Sequence, residues 1–404
     1  MRHLCLTTSL YPGLLTTAQA EDLKFSGGRN WLTLASDKDI NVAIGIARSE
    51  QRELASVSVV RAANGYYAVL GGYYDVNTIA KFKSSKAGTT IPTLPKDAYF
   101  SNGARYVETV WLPSDGKVYF ESYSLKSNVQ IESGSLSAFV SAEHLGTENA
   151  YTKIEGSDTK SNFHFDIGKD VPVTELQSAK AMSSDNFFRA GAVRLIAGSE
   201  SPQLVLTAFS GGAHCCTETF IAGREPNSET WSLIHLSARD GLGFGFEDVA
   251  GTGVQELVSV DNAFLYAFNS YAGSMAPIKI YKWRDGKIED ASFEPEMRGR
   301  LVQDLAGMEW QAKLQPDLLK ANGYLAGWVA AKIRLGQGDE AWNTFISNYD
   351  KKSDFGPQSC TSGQKINDCP AENLNLIPIP KALARFLRDN GYGPLPKAAV
   401  AELE

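Results

Sequence analysis

The sequence predicts an α+β fold that is mainly β. Three observations carry that expectation. The 404 residues include Gly 36, Tyr 16 and Phe 19, a composition that favours strands and turns over long helices. Short β-branched and aromatic runs recur between Gly, Asn and Asp punctuation. Helical patterns are few: one near residue 40, a short one over Val76–Lys83, and those of the chain after residue 317. Hydrophobic residues make up 43%, enough for a sizeable core, and the length suits two or three domains.

The first twenty residues read as an export signal: Arg2 and His3, a largely apolar or small stretch from Leu4 to Thr17, and an Ala18-Gln19-Ala20 cleavage site. The expected localisation is therefore periplasmic or secreted, after cleavage near Ala20. Elsewhere no stretch approaches the roughly 18 apolar residues that a membrane helix needs, so no transmembrane segment is expected. The net charge of −7 and the absence of a Lys/Arg block exclude nucleic acid as a partner.

Residues 21–103 read as β-α-β-β-α-β. Trp31 to Ala35 is a strand. Asp37 or Asp39 caps a helix carrying Ile40, Ala43, Ile44 and Ala47 on one face. Val57–Val60 and Tyr66–Leu70 form a hairpin about Asn64-Gly65, and Val76–Lys83 is a second helix. Alternation places Leu32 and Leu34 on one face of the first strand and Trp31, Thr33 and Ala35 on the other. In the third strand it separates Tyr67 and Val69 from Ala68 and Leu70.

This pattern resembles the SPOR domain, through Trp31-Leu-Thr-Leu-Ala-Ser36 and Gly65-Tyr-Tyr-Ala-Val-Leu-Gly-Gly-Tyr73. The resemblance implies binding to bare glycan strands of bacterial peptidoglycan. The candidate ligand-binding residues are Trp31, Thr33, Ser36, Tyr67 and Val69. The plainer reading packs these aromatics against the following β part.

Residues 104–178 are strand-like with polar loops, a β-rich linker or domain. Residues 179–310 hold the densest glycine punctuation. Leu204–Phe209 leads into Ser210-Gly-Gly-Ala-His-Cys-Cys216, and Phe246-Glu-Asp-Val-Ala-Gly-Thr-Gly-Val-Gln-Glu-Leu257 leads into a strand. These segments resemble FG-GAP or VCBS β-propeller repeats, whose acidic loops bind calcium. Here Asp248, Gly251, Gly253 and Glu256 remain, while Ala250 and Thr252 replace acids, so no metal is expected. Residues 311–404 are helical: Leu318, Leu325, Trp328, Val329 and Leu335 recur near a 3.6 period, as do Ala341, Trp342, Phe345 and Ile346.

After cleavage four cysteines remain, Cys215, Cys216, Cys360 and Cys369. An even count in an exported chain favours disulfides. Three pairings are open; easy closure of the short loop between Cys360 and Cys369 favours that bridge and leaves Cys215 to Cys216. No zinc spacing, serine-hydrolase elbow, P-loop or dinucleotide fingerprint is present, so no catalytic residue and no cofactor is expected. A non-catalytic envelope protein binding peptidoglycan glycan is the first functional reading. A periplasmic scaffold for a protein partner is the second, and an unrecognised hydrolase the third.

Overall fold

The computed structural model describes residues 29–51, 53–54, 56–75, 95, 97–113, 120–123, 128–143, 151–167, 188–209, 213–241 and 243–404. The export signal with Ala18–Ala20, the helix expected over Val76–Lys83, and Ser210 to Gly212 lie outside the described residues. The fold is α+β and mainly β, in two compact units, residues 1–113 and 114–404.

In the first unit the strands are β1 (Arg29–Asp37), β2 (Ser58–Ala62), β3 (Tyr67–Asp75), β4 (Tyr99–Ser101) and β5 (Tyr106–Trp111), with α1 (Ile40–Glu50) between β1 and β2. They form one antiparallel sheet in the order β4-β1-β3-β2-β5. β3 thus lies between β1 and β2, the split β-α-β arrangement. Asp39 caps α1, its Oδ1 accepting from the Asn41 N–H at 2.8 Å. Ala43, Ile44 and Ala47 are the buried stripe of that helix. Gly65, at φ +81°, turns the β2–β3 hairpin. β5 extends this sheet beyond residue 103.

In the second unit three antiparallel meanders follow one another. The first contains β7 (Val129–Ser133), β8 (Leu136–Glu143), β9 (Tyr151–Ser157) and β10 (Asn162–Ile167). In the second, β6 (Glu121–Tyr123) edges β11 (Phe188–Val193), β12 (Gln203–Phe209), β13 (Thr217–Gly223) and β14 (Ser232–Arg239). The third contains β15 (Gly245–Glu247), β16 (Glu256–Val260), β17 (Ile278–Arg284) and β18 (Lys287–Asp290). The β17–β18 turn uses Asp285 and Gly286 at φ +48° and +75°, the pair of positive values that a two-residue hairpin favours.

Strand alternation explains the stacking. Leu204, Leu206 and Phe220 join a core with Leu136, Val140 and Ile154 of the first meander. Their neighbours Val205 and Ile221 join a core with Phe246, Leu257 and Trp283 of the third. β12 and β13 are buried on both faces, β12 through a mostly apolar run and β13 with Thr217, Glu218 and Thr219 buried beside its apolar residues. Val258, Ile278 and Ile280 turn the other way, into a core shared with α2 (Arg298–Leu314), α3 (Asn322–Arg334), α4 (Gly338–Asn348), α5 (Ile379–Asp389) and α6 (Lys397–Ala401). Among the described residues this outer face of the third sheet is covered by helices rather than by a fourth meander. The helical part begins at Arg298, ahead of residue 311. Leu301, Leu305, Met308 and Ala312 form its buried stripe, diluted in the sequence by Gly299 and Gly307.

Candidate functional site

The first unit carries an aromatic platform at one end of its sheet. Trp31 and Tyr73 are cross-strand partners whose rings stack with centroids 4.5 Å apart. On the other side of β1, Tyr99 is the cross-strand partner of Thr33 and is 54% exposed. Thr33 and Tyr106 share a hydrogen bond of 2.7 Å beneath them. Burial raises the Tyr106 phenol above its ordinary pKa, partly offset by hydrogen bonds from Ser101 and Thr33, so it remains a hydroxyl.

The expected ligand residues are not gathered in one place. Ser36 is exposed, and Trp31 and Tyr67 are half-buried. Trp31 pairs with Tyr73 at one end of the β1–β3 ladder, whereas Tyr67 pairs with Asp37 at the other. Six residues of strand separate them, roughly 20 Å. Two irregularities in the β1–β3 register, around Thr33, shift which residues of β3 share a face with Trp31. Ala68 and Leu70, not Tyr67 and Val69, lie in the cluster against which Trp31 packs. Thr33 and Val69 are both 0% exposed, so neither offers surface to a ligand. Val69 pairs instead with Val59 and Ala35. Tyr73, part of the SPOR-like stretch but not among the expected ligand residues, joins Trp31, and Tyr99 is the residue that sequence reading missed. Gly71-Gly72, inside β3, lies where the register shifts between the Trp31–Tyr73 and Thr33–Leu70 pairs and is the local signal for that bulge.

In the second unit the Asp248–Glu256 loop spends its acids on its own backbone. Asp248 accepts from the N–H groups of Thr252 at 2.9 Å and Gly253 at 2.8 Å. Glu256 accepts from Val249 at 2.8 Å and Ala250 at 3.4 Å. Burial pushes the Glu256 carboxyl up, opposed by those backbone donors. A cleft of about 570 Å³ beside the loop is lined by Thr252, Glu256, Lys282, Trp283 and Glu296. Its lysine is already engaged: Lys282 Nζ lies 2.7 Å from both Glu294 and Glu296. No group of His, Cys, Asp and Glu able to hold a metal is present among the described residues.

The structure joins Cys215 to Cys216, across a cis peptide bond, and Cys360 to Cys369, whose Cα atoms are 5.8 Å apart. The second bridge closes the loop between β19 (Gln358–Cys360) and β20 (Leu374–Leu376).

Residues 301–391, from α2 into the turn after α5, match the family described as the sll0997 C-terminal domain. The whole chain is similar to the uncharacterized protein y4bJ of Sinorhizobium fredii, 32% identical over 98% of this chain and 61% of the relative. A probable thylakoid lumen protein, sll0997 of Synechocystis, is 35% identical over 47% of this chain and 56% of its own length. The chain thus spans roughly three fifths of the curated relatives it matches. No solved structure matches it.

Proposed function

We propose that this protein works outside the cytoplasm and binds glycan strands of peptidoglycan through the first unit, which does no chemistry itself. The observation that carries the reading is the Trp31–Tyr73 stack, with Tyr99 exposed across the same strand. Sugar rings present apolar C–H faces that pack on aromatic rings. The split β-α-β strand order agrees with the SPOR resemblance. Two disulfides suit an oxidising compartment, and the Synechocystis relative is named for the thylakoid lumen. No helix among the described residues is long and apolar enough to cross a membrane.

Co-sedimentation of the full chain with purified sacculi tests the reading. The wild type should pellet, and the double variant Trp31→Ala, Tyr73→Ala should lose at least about tenfold in apparent affinity, since aromatic anchors dominate small binding surfaces. Pelleting that is absent, or equal in the folded double variant, would remove the glycan reading. The scaffold reading has its own support in the burial of Thr33, Val69, Ala68 and Leu70, which leaves little open sheet at the centre of this unit.

A further inference from the structure

Three loops of the second unit converge on His214. The first carries His214 itself, with the Cys215–Cys216 bridge directly after it. The second follows β14 and carries Asp240. The third lies between β16 and β17 and carries Tyr266 and Tyr271. The first two are clipped together by backbone and side-chain bonds: the Gly241 N–H donates to the His214 carbonyl at 2.6 Å, and Thr217 Oγ1 donates to the Gly241 carbonyl at 2.5 Å.

The side chains form a chain of contacts. His214 Nε2 lies 2.8 Å from the Tyr266 hydroxyl. On the other side of the ring, Nδ1 is shielded from water and lies 3.4 Å from Asp240 Oδ2, within ion-pair reach though not aligned as an ideal hydrogen bond. With its hydrogen on Nδ1, facing the carboxylate, the imidazole would accept from the Tyr266 phenol at Nε2. Tyr271 stacks on the imidazole with centroids 4.0 Å apart, locking its plane. Burial first, and then the adjacent Asp240 carboxylate, push the Tyr271 phenol up, so it stays a protonated donor to that carboxylate. Asp240 Oδ1 also accepts from the Gly241 N–H at 2.8 Å.

Tyr266 is held in an unusual way. Its φ is +63°, left-handed for a residue with a side chain, and its N–H is tied to Ser274 Oγ at 3.1 Å. Its ring is 49% exposed, with the hydroxyl turned to the histidine. A non-glycine residue kept in this region is a pointer to function. A hydroxyl within hydrogen-bond reach of a base, itself oriented by a third group, is the geometry of an activated nucleophile.

We propose that Tyr266 is a base-activated nucleophile that accepts acyl groups from uncharged esters, with His214 as its base and Asp240 as the positioning residue. The surroundings select the electrophile. The rings and the disulfide are uncharged, and the acidic group that His214 meets among the described residues is the Asp240 carboxylate, which repels phosphate and favours a neutral ester. In the acylation step Tyr266 Oη attacks the acyl carbon and its proton passes to His214 Nε2. The C–O bond to the leaving alcohol then breaks, that oxygen takes the proton back from Nε2, and Tyr266 is left as an aryl ester. Asp240 stays ionised throughout and stabilises the transient imidazolium. This inference is independent of glycan binding by the first unit.

The test treats the full, oxidised chain with p-nitrophenyl acetate and follows acetylation of each tyrosine by peptide mass spectrometry. Tyr99 is the internal control, because its 54% exposure matches the 49% of Tyr266. Tyr266 should acetylate about a hundredfold faster than Tyr99, the lower range of general-base assistance. His214→Ala should bring the ratio close to one without changing the Tyr99 rate. Asp240→Asn should lower the ratio while leaving the melting temperature of the His214→Ala variant and its own alike. If His214→Ala unfolds, seen as acetylation of buried Tyr392, His214→Gln replaces it. A Tyr266 to Tyr99 ratio near one in the wild type overturns the proposal, as does a high ratio that survives loss of the imidazole in a folded variant.

Discussion

Asp158 shows how one residue couples two meanders. It sits in the β9–β10 turn with its side chain fully buried and meets Arg224, at the end of β13 and only 4% exposed. Arg224 Nε donates to Asp158 Oδ2 at 3.0 Å, and Nη2 donates to the same oxygen. Burial alone would raise this carboxyl. Arg224, the N–H groups of Lys160 and Ser161, and the Ser201 hydroxyl outweigh it and hold the pKa at about 2. The folded value lies below the unfolded one, so the contribution is full above about pH 4 and is lost as pH falls towards 2. Urea titrations at pH 7 and pH 3 should differ by about 1–2 kcal/mol from this group, and the difference should vanish in Asp158→Asn. That variant leaves a buried guanidinium without its anion and should lose about 3–5 kcal/mol at pH 7. A loss under 1 kcal/mol would show that water or another acid replaces Asp158. At the Asp248–Glu256 loop the carboxylates are already spent on N–H groups. Millimolar calcium should leave the melting temperature unchanged, and a rise of several degrees reversed by chelator would contradict this.

At the scale of the element, α3 is seated by two glycines. A Cβ on Gly323 would meet the Gly273 carbonyl oxygen at 2.3 Å, and one on Gly327 would meet the Met275 carbonyl oxygen at 2.0 Å. The helix lies directly on the loop that presents Tyr266 and Tyr271. Alanine is the better helix former by about 1 kcal/mol, but backbone cannot yield 1 Å cheaply. Gly327→Ala should therefore destabilise by about 1–3 kcal/mol in chemical denaturation. A neutral or stabilising result would mean that the loop moves freely. The helix pair α3 and α4 was legible from its 3.6 period and the break at Gly336, found at φ +79°. The strands β7 and β9 were not. Their apolar residues alternate with Gln, Glu and Lys over only five to seven residues, too short to stand out from polar loops.

For the whole molecule, the prediction concerns oxidation. Protein recovered from an extracytoplasmic fraction should have the mass of the chain beyond Ala20 less four hydrogens. Peptide maps without reduction should join 215 to 216 and 360 to 369. A chain still starting at Met1, or a peptide joining either of the first pair to either of the second, would refute this. Opening Cys360–Cys369 by double serine substitution should cost about 2–3 kcal/mol, the entropy of freeing a loop of that length.

Local information alone determined a good deal. Composition and turn chemistry set the α+β, mainly β class, because Asn-Gly, Asp-Gly and helix-capping Asp act through adjacent residues. What only tertiary structure decided was the identity of neighbours. Antiparallel register set Tyr73 opposite Trp31 and left Tyr67 six residues away against Asp37, a pairing fixed by contacts between strands and not by the order of residues within either. His214, Asp240 and Tyr266 are far apart along the chain, with no spacing to announce them. Their meeting depends on three loops whose positions are set by sheets and helices packed elsewhere, and no local pattern encodes that.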